Sequence, residues 1–144
     1  MSYKHILVPV DLGERSRAIL EHAKAMADHF KSSIHLLYCF PNLTFPDATG
    51  LMNPLAPQVI EEARADSERR LNDLLTPSER TRYHVRTTVL LGDPLDQIVA
   101  CAKEDHADLI VMGTHGRTGL THMFLGSVAE RVVRTAPCPV LTVH

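Results

Sequence analysis

The stretch that decides the fold is ADLIVMGTHGRTGLTHMFLGSVAERVVRTAPCPVLTVH, residues Ala107–His144. It opens with an apolar run that is typical of a buried strand, and Cys138–His144 forms a second such run. Between them, a glycine-rich loop leads into a segment that is expected to be helical to about Thr135. A strand, a helix and a strand in this order predict two parallel strands of one sheet, joined by a right-handed crossover.

The same alternation extends toward the amino terminus. Apolar segments predict further strands at Lys4–Asp11, Ser33–Phe40 and Tyr83–Asp93. Segments of helical periodicity lie between the strands, and Asp93-Pro94 is a helix-start signal, an N-cap acceptor followed by proline at the first helical position. The order βαβαβαβαβ over residues 1–144 predicts a single α/β domain, a three-layer sandwich of a five-stranded parallel sheet with helices on both faces.

The segment Pro41–Pro57 interrupts this regular order. It is rich in proline and has no steady period, so it predicts a long surface loop. The helix expected after it, marked by apolar residues from Ile60 to Leu75, has a highly charged outer face that is typical of a solvated helix.

Composition argues against two classes of partner. The chain of 144 residues has a formal net charge of −2 and a sequence pI near 6.5, so no basic surface for nucleic acid or membrane is expected. The first apolar run, Ile6–Val10, is too short for a signal or membrane-spanning segment, so we expect a cytoplasmic protein. Its three cysteines, without a CxxC pair, are expected to be reduced and buried: Cys39, Cys101 and Cys138.

Two parts of the sequence predict a ligand site at one edge of the sheet. Open parallel sheets bind ligands beyond the carboxyl ends of the strands, where the strand order reverses. Pro9-Val10-Asp11 ends the first strand, and Gly113 ends the fourth. If these two strands are neighbours, Asp11 and the loop after Gly113 face the same crevice.

The loop Gly113–Ser127 has the composition of a phosphate site. It is more than twice the usual length of a strand-to-helix connection and contains four glycines. Gly113 and Gly116 allow positive φ and close approach of the backbone to a ligand, and Gly126 precedes a helix whose free amides favour an anion. The loop matches neither GxxxxGK[ST] nor GxGxxG. Glycines that only shape the loop are the alternative interpretation.

The spacing Gly113-x2-Gly116-x9-Gly126-Ser127 resembles the ATP-binding signature of the universal stress proteins, G-2x-G-9x-G-[S/T]. The segments KHILVPVDLGERS and APCPVLTV are similar to the two ends of that family, so the resemblance covers essentially the whole chain. It implies an adenine-nucleotide α-hydrolase-like fold with strand order 3-2-1-4-5. It also implies a stress-response regulator that binds ATP with Mg²⁺ and dimerises through the final strand, Val140–Val143.

The resemblance assigns binding residues at matching positions. Asp11 would lie near the ribose or a metal, Cys39 would contact adenine, and Ser127 would meet the phosphates. The full set of cofactor-binding residues that it implies is Pro9, Val10, Asp11, Cys39, Met112, Gly113, His115, Gly116, Arg117, Gly126, Ser127 and Val128. From the sequence alone, Asp11 could instead cap the helix that begins near Glu14.

Three functional classes are open at this point. A binder of ATP, or of ADP, AMP or a cyclic nucleotide, is favoured because the loop 113–127 contains no Asp or Glu to support hydrolysis. The enzyme alternative is a slow Mg²⁺-dependent ATPase in which His115 or Arg117 stabilises the leaving phosphate. Nucleotidyl transfer is disfavoured because DLGERS after the first strand contains no histidine. The third class is a ligand-free dimeric interaction module. The nine histidines follow no zinc-ligand spacing, so the sequence predicts no zinc site.

Overall fold

The computed structural model describes residues 1–40, 42, 44–115 and 125–144. The strands in these residues are β1 (His5–Val10), β2 (Ser33–Phe40), β3 (Thr44–Pro46), β4 (Met52–Pro54), β5 (Arg86–Leu91), β6 (Leu109–Gly113) and β7 (Val140–Val143). The helices are α1 (Ser16–Phe30), α2 (Pro57–Asn72), α3 (Pro77–Arg82), α4 (Pro94–Glu104) and α5 (Ser127–Thr135).

Five strands form one parallel sheet in the order β5-β2-β1-β6-β7. When the short β3–β4 pair is left out of the numbering, this is the predicted order 3-2-1-4-5. The order reverses between β1 and β6, which are paired with Ile6 opposite Leu109 and Leu7 opposite Ile110. The two strand ends that the sequence placed beside one crevice are therefore neighbours.

The sheet has a separate core on each face. Because side chains alternate along a strand, Ile6 and Val8 of β1 pack with α1 and α2 on one face, whereas Leu7 packs with α4 and α5 on the other. Ile19 and Ala23 of α1 belong to the first core, and their spacing of four residues places them on one face of the helix. The three-layer α/β sandwich predicted from the sequence is confirmed.

Two predictions about helix starts have different outcomes. Asp93 caps α4 as expected, since its carboxylate accepts hydrogen bonds from the backbone N–H groups of Leu95 (3.0 Å) and Asp96 (3.3 Å). The alternative role of Asp11 as the cap of α1 is wrong: the N-cap position is Arg15, which makes no side-chain cap hydrogen bond. The carboxylate of Asp11 instead closes the turn between β1 and α1.

The segment Pro41–Pro57 contains regular structure that the sequence did not predict. β3 and β4 pair antiparallel in a short hairpin, with Phe45 opposite Asn53. Asp47 holds its turn, because Oδ1 accepts from the N–H groups of Thr49 (2.8 Å) and Leu51 (3.1 Å) and Oδ2 accepts from the amide of Asn53 (3.1 Å). The prediction of a loop was therefore wrong for these two short strands, whereas the surface position was correct.

The third predicted strand is shorter than expected, since β5 begins at Arg86 and not at Tyr83. A short helix, α3, precedes it, and the backbone at His84 has a positive φ of 45°, which breaks the extended conformation. The three cysteines are free, as predicted, although only Cys101 is fully buried. Within the described ranges, no helix combines the length and the apolar character needed to cross a bilayer.

Candidate functional site

A cavity of about 250 Å³ lies at the carboxyl edge of the sheet, between the ends of β1, β2 and β6 and the start of α5. Ten of the twelve predicted site residues line it: Pro9, Val10, Asp11, Cys39, Met112, Gly113, His115, Gly126, Ser127 and Val128. The other two, Gly116 and Arg117, lie outside the described residues. The structure thus brings together residues from both ends of the chain, as expected from the switch point in the sheet.

The two ends of the glycine-rich loop meet at the mouth of this cavity. The N–H of Gly126 donates to the carbonyl oxygen of Thr114 at 2.6 Å, and the N–H of Thr114 donates to the carbonyl oxygen of Val143 in β7 at 3.0 Å. A Cβ atom at position 126 would lie 2.7 Å from the Thr114 oxygen. The close approach at this position therefore requires glycine.

The amino end of α5 opens into the cavity without a side-chain cap. Gly126 is the N-cap residue and makes no side-chain cap hydrogen bond. The first N–H groups of a helix have no partner inside the helix, so those of Ser127 and Val128, two residues that line the cavity, are available to a ligand at the positive end of the helix dipole. Ser127 is exposed and adds a hydroxyl. This group of donors is suited to an anion.

His115 adds a further polar atom. Its Nδ1 lies 2.9 Å from Oγ1 of Thr114, and its Nε2 is buried with no hydrogen-bond partner in the part of the chain that the structure describes. A buried ring nitrogen without a partner is costly. A polar group of a ligand in the cavity would satisfy it.

Asp11 is the carboxylate that lines the cavity among the described residues. Its Oδ1 accepts from the N–H of Gly13 at 2.8 Å and lies 3.5 Å from Oγ of Ser16. These two bonds fix the carboxylate at the end of β1 and leave Oδ2 without a described partner. A single carboxylate beside an anion site fits the coordination of Mg²⁺, which is often held by one or two carboxylates together with phosphate oxygens.

The inner wall of the cavity is apolar. Leu37, Ile98 and Met112 line it together with Cys39, whose Sγ lies 4.0 Å from the carbonyl oxygen of Pro94. Burial, with a smaller effect of the negative charge of Asp93, raises the pKa of the Cys39 thiol to about 12. The thiol is therefore neutral and acts here as a small apolar side chain.

Sequence reasoning missed several lining residues, of which Thr114 is the most important because it joins the loop to β7. Its position directly after a predicted strand was the available signal. The others are Ile19, Leu37, Tyr38, Pro94, Ile98 and Ala129. They belong to strand interiors and helix faces, where an apolar residue in a cavity wall has the same pattern as one in the core.

The site combines an anion-binding helix end and loop, one fixed carboxylate, and an apolar pocket deeper in the sheet edge. Such a cavity can hold a molecule with a phosphate at one end and a flat, weakly polar group at the other. The described lining offers no second carboxylate to position a water molecule for attack on a phosphate. The described geometry is therefore that of a pocket for such a molecule, with one carboxylate in its lining.

Comparison with protein families gives a match over residues 2–144 to the universal stress protein family. Among curated proteins, the chain is 36% identical to universal stress protein MJ0531 of Methanocaldococcus jannaschii, over 98% of this chain and 82% of that protein. It is 30% identical to universal stress protein MJ0577 of the same organism, over 98% of this chain and 94% of that protein.

Solved structures share the fold over nearly the whole chain. Universal stress protein UspA from Lactobacillus plantarum superposes with a TM-score of 0.76 at 24% identity, covering 100% of this chain and 99% of that one. A universal stress protein in complex with cAMP gives 0.63 at 23% identity, covering 100% and 98%. The universal stress protein from Archaeoglobus fulgidus in complex with dAMP gives 0.60 at 21% identity, covering 100% of both chains.

Proposed function

We propose that this chain, which belongs to the universal stress protein family, binds ATP with Mg²⁺ at the carboxyl edge of its sheet and hydrolyses it slowly or not at all. Its role is that of a stress-response regulator, and the cytoplasmic location expected from the sequence remains a prediction. One observation carries the proposal: the uncapped amino end of α5 and an apolar pocket line the same cavity. The phosphate and the base of an adenine nucleotide require these two environments.

The relatives support the ligand class. Two universal stress proteins with this fold are described in complex with cAMP and with dAMP, both of which are adenine nucleotides. Their likeness to this chain is one of fold. The transfer of the ligand class therefore depends on the cavity of this chain and on its glycine spacing.

The residues of the cavity have separate tasks in this proposal. The backbone N–H and the hydroxyl of Ser127, together with the backbone N–H of Val128, bind phosphate oxygens. Asp11 would hold Mg²⁺, and the ion would neutralise phosphate charge. Cys39 and Met112 form the wall that receives the base. The unpaired Nε2 of His115 forms a hydrogen bond with a polar group of the ligand.

Slow turnover is expected because Asp11 is the one carboxylate in the described lining of the cavity. Phosphoryl transfer to water requires a group that orients the water as well as a metal held by acidic residues. Asp11 would already be committed to Mg²⁺, and no second acidic residue lines the described part of the cavity. The ligand is therefore expected to remain intact for long periods. Its presence in the cavity, and not its hydrolysis, would then signal the state of the protein.

Acid denaturation of the purified protein followed by mass spectrometry of the released small molecule tests the proposal. ATP at close to one molecule per chain would support it, whereas ADP or AMP would favour the slow ATPase. An empty protein that binds no ATP with Mg²⁺ in calorimetry would contradict the proposal and favour the ligand-free interaction module. Ser127→Ala should weaken ATP binding by about 10- to 100-fold, the value of one charge-assisted hydrogen bond, whereas Ser78→Ala on the exposed surface of α3 should not.

A homodimer through β7 is the second part of the proposal. β7 is an edge strand, because it pairs with β6 on one side only within the described sheet. The carbonyl groups of Pro139 and Val143 accept hydrogen bonds from Ile110 and Thr114, on the β6 side. By the alternation of a strand, the backbone groups of Val140 and Thr142 point toward the open edge, where they are available to a second copy.

A further inference from the structure

A second cluster of reactive side chains lies at the opposite, amino-terminal edge of the sheet. His35 stands near the start of β2, and Cys101 and Asp105 stand one turn apart at the end of α4. The ring Nδ1, the thiol Sγ and the carboxylate Oδ2 all lie within 4.8 Å of one another. Sγ is 3.7 Å from Nδ1 and 3.4 Å from Oδ2.

Each of the two polar side chains is oriented by a second partner on β5. Nε2 of His35 lies 2.7 Å from Oγ1 of Thr88. The other carboxylate oxygen of Asp105, Oδ1, forms an ion pair with the guanidinium of Arg86. These contacts turn Nδ1 and Oδ2 toward the thiol. Partners of this kind are the ones that orient metal-binding histidines and carboxylates in proteins.

The geometry differs from that of a nucleophilic triad. In a triad the histidine uses its two ring nitrogens separately, one for the nucleophile and the other for the acid that orients it. Here Cys101 and Asp105 both contact the same nitrogen, Nδ1 of His35. The three candidate ligand atoms, Nδ1, Sγ and Oδ2, therefore form one compact cluster, as the ligands of a single cation do.

We propose that His35, Cys101 and Asp105 form a zinc-binding site that is separate from the nucleotide cavity. Tetrahedral zinc with Zn–S of about 2.3 Å and Zn–N of about 2.0–2.1 Å separates sulfur from nitrogen by about 3.6 Å. The observed distances of 3.7 and 3.4 Å from Sγ to its two neighbours are close to this value. His35 and Asp105, which are in direct contact, move apart as the ion enters, and Cys101 releases its proton to solvent.

The surroundings allow an ion to enter. Cys101 is buried, and the side chains of His35 and Asp105 are 11% and 20% exposed. A cavity of about 400 Å³ reaches His35 and Asp105 from the amino edge, which gives access from solvent and room for a water molecule as fourth ligand. The Arg86 guanidinium now lies 3.0 Å from Nδ1. The Arg86 side chain is 60% exposed. It can therefore move away from Nδ1 of His35 while it keeps its ion pair with Oδ1 of Asp105.

Cobalt(II) replaces zinc as a spectroscopic probe, because a thiolate ligand gives a charge-transfer band and tetrahedral coordination gives visible bands. Chelator-treated, nucleotide-free full-length protein should bind one Co²⁺ per chain with both signals, and zinc should displace it. Cys101→Ala should abolish the charge-transfer band, and His35→Gln should weaken binding at least about tenfold, since loss of one ligand costs more than one hydrogen bond. Cys138→Ala, which alters a cysteine between α5 and β7, should bind cobalt as the wild type does.

Two results would overturn the site. One is wild-type protein that develops no thiolate-to-cobalt band. The other is a band of full intensity in Cys101→Ala, since the thiolate would then come from Cys39 or Cys138. Circular dichroism of each variant separates loss of the ligand from loss of the fold. Because ATP binding is measured in the other cavity, the nucleotide proposal can fail while this one stands.

Discussion

At the scale of single residues, Gly126 joins the fold to the site. Its N–H closes the glycine-rich loop on Thr114, and a Cβ atom there would lie 2.7 Å from the oxygen that accepts this bond. We predict that Gly126→Ala shifts the start of α5 and weakens ATP binding by about tenfold or more, because displaced donors no longer meet the phosphates. Isothermal titration calorimetry measures the effect. Gly50→Ala is the matched control, because it strains the hairpin turn, where Gly50 has a φ of 84°, but lies outside the cavity lining; it should bind ATP normally.

Cys39 offers a test of the inner wall. With a thiol pKa of about 12, its thiolate fraction at pH 8 is about a thousandfold below that of a free cysteine. We predict correspondingly slow alkylation of Cys39 by iodoacetamide, followed by peptide mass spectrometry, and still slower reaction when ATP fills the cavity. Reaction at the rate of glutathione would contradict the raised pKa of the Cys39 thiol. The same rate with and without saturating ATP would show that the base does not pack on this wall.

At the scale of elements, one carboxylate, that of Asp47, accepts the side-chain hydrogen bonds of the turn in the β3–β4 hairpin. Hydrogen bonds from the side chains of Thr49 and Asn53, and from backbone N–H groups, lower the pKa of Asp47 to about 2. A lowered folded-state pKa stabilises the hairpin at pH values above the ordinary aspartate range, and this stabilisation is lost as the pH falls through about 2. We predict that amide chemical shifts of Gly50 and Leu51 remain hairpin-like down to about pH 3.

Asp47→Ala should lose these hairpin shifts at every pH, because the turn loses the two carboxylate oxygens that accept hydrogen bonds from Thr49, Leu51 and Asn53. Asp66→Ala provides the control, since Asp66 is an exposed helix residue paired with Arg69. A hairpin that persists in Asp47→Ala would mean that the strands themselves, and not the turn, hold it.

The edge strand β7 gives the second prediction at this scale. The N–H of Thr142 points away from β6, so proline at this position removes a donor from the open edge and leaves the β6–β7 hydrogen bonds in place. We predict that the wild type has twice the 16.0 kDa chain mass in light scattering and that Thr142→Pro has the mass of one chain. Thr142→Val keeps the backbone donor and should remain dimeric. Dimers in Thr142→Pro would place the interface elsewhere.

At the scale of the whole molecule, the second core carries three titratable thiols: Cys101 lies within it, and Cys39 and Cys138 pack against it. Burial is the main cause that raises the pKa of both Cys39 and Cys101 to about 12. The unfolded chain releases these protons at a lower pH, near the ordinary thiol pKa of about 8.5. The folded state therefore holds more protons above that pH, and stability falls as the pH rises toward 12.

We predict that the Tm of chelator-treated protein decreases above about pH 9 and that the decrease is shallower in the double variant Cys39→Ala/Cys101→Ala. The variant is expected to be less stable at neutral pH, because two buried side chains become smaller. The comparison is therefore between slopes. Parallel curves of Tm against pH would show that the alkaline loss of stability comes from other groups whose pKa is raised, namely Cys138, Lys24 and Tyr83.

How much could be predicted from the sequence depended on the range of the interactions. β2 was predicted with its observed bounds, Ser33–Phe40, because a continuous apolar run ends at a proline. α3 was missed although Thr76 and Glu79 form a capping box, since no apolar face accompanies so short a helix. The hairpin was missed because its strands are exposed and contain prolines, so neither burial nor alternation marks them.

The two candidate sites also differed in how far they could be predicted from the sequence. The cavity at the carboxyl edge could be predicted because glycine spacing and strand ends are local features, and the parallel fold places those ends together. Its apolar wall could not, because Leu37 and Ile98 have the pattern of any core residue. The contact of His35 with Cys101 joins residues 66 positions apart. Only the register of β2 against α4 brings them together, and no spacing in the chain reports it.

The hydrogen bond from Gly126 to Thr114 joins the two residues that flank the segment 115–125. Because these flanking residues are held together, the length of the segment between them does not change the sheet, and doubling the length of such a closed segment costs only about 0.6 kcal/mol in loop entropy. The scaffold should accept exchanged segments between these two residues with little loss of stability. The segment between Thr114 and Gly126 is therefore a position at which ligand choice can be altered by evolution or by engineering while the two cores remain unchanged.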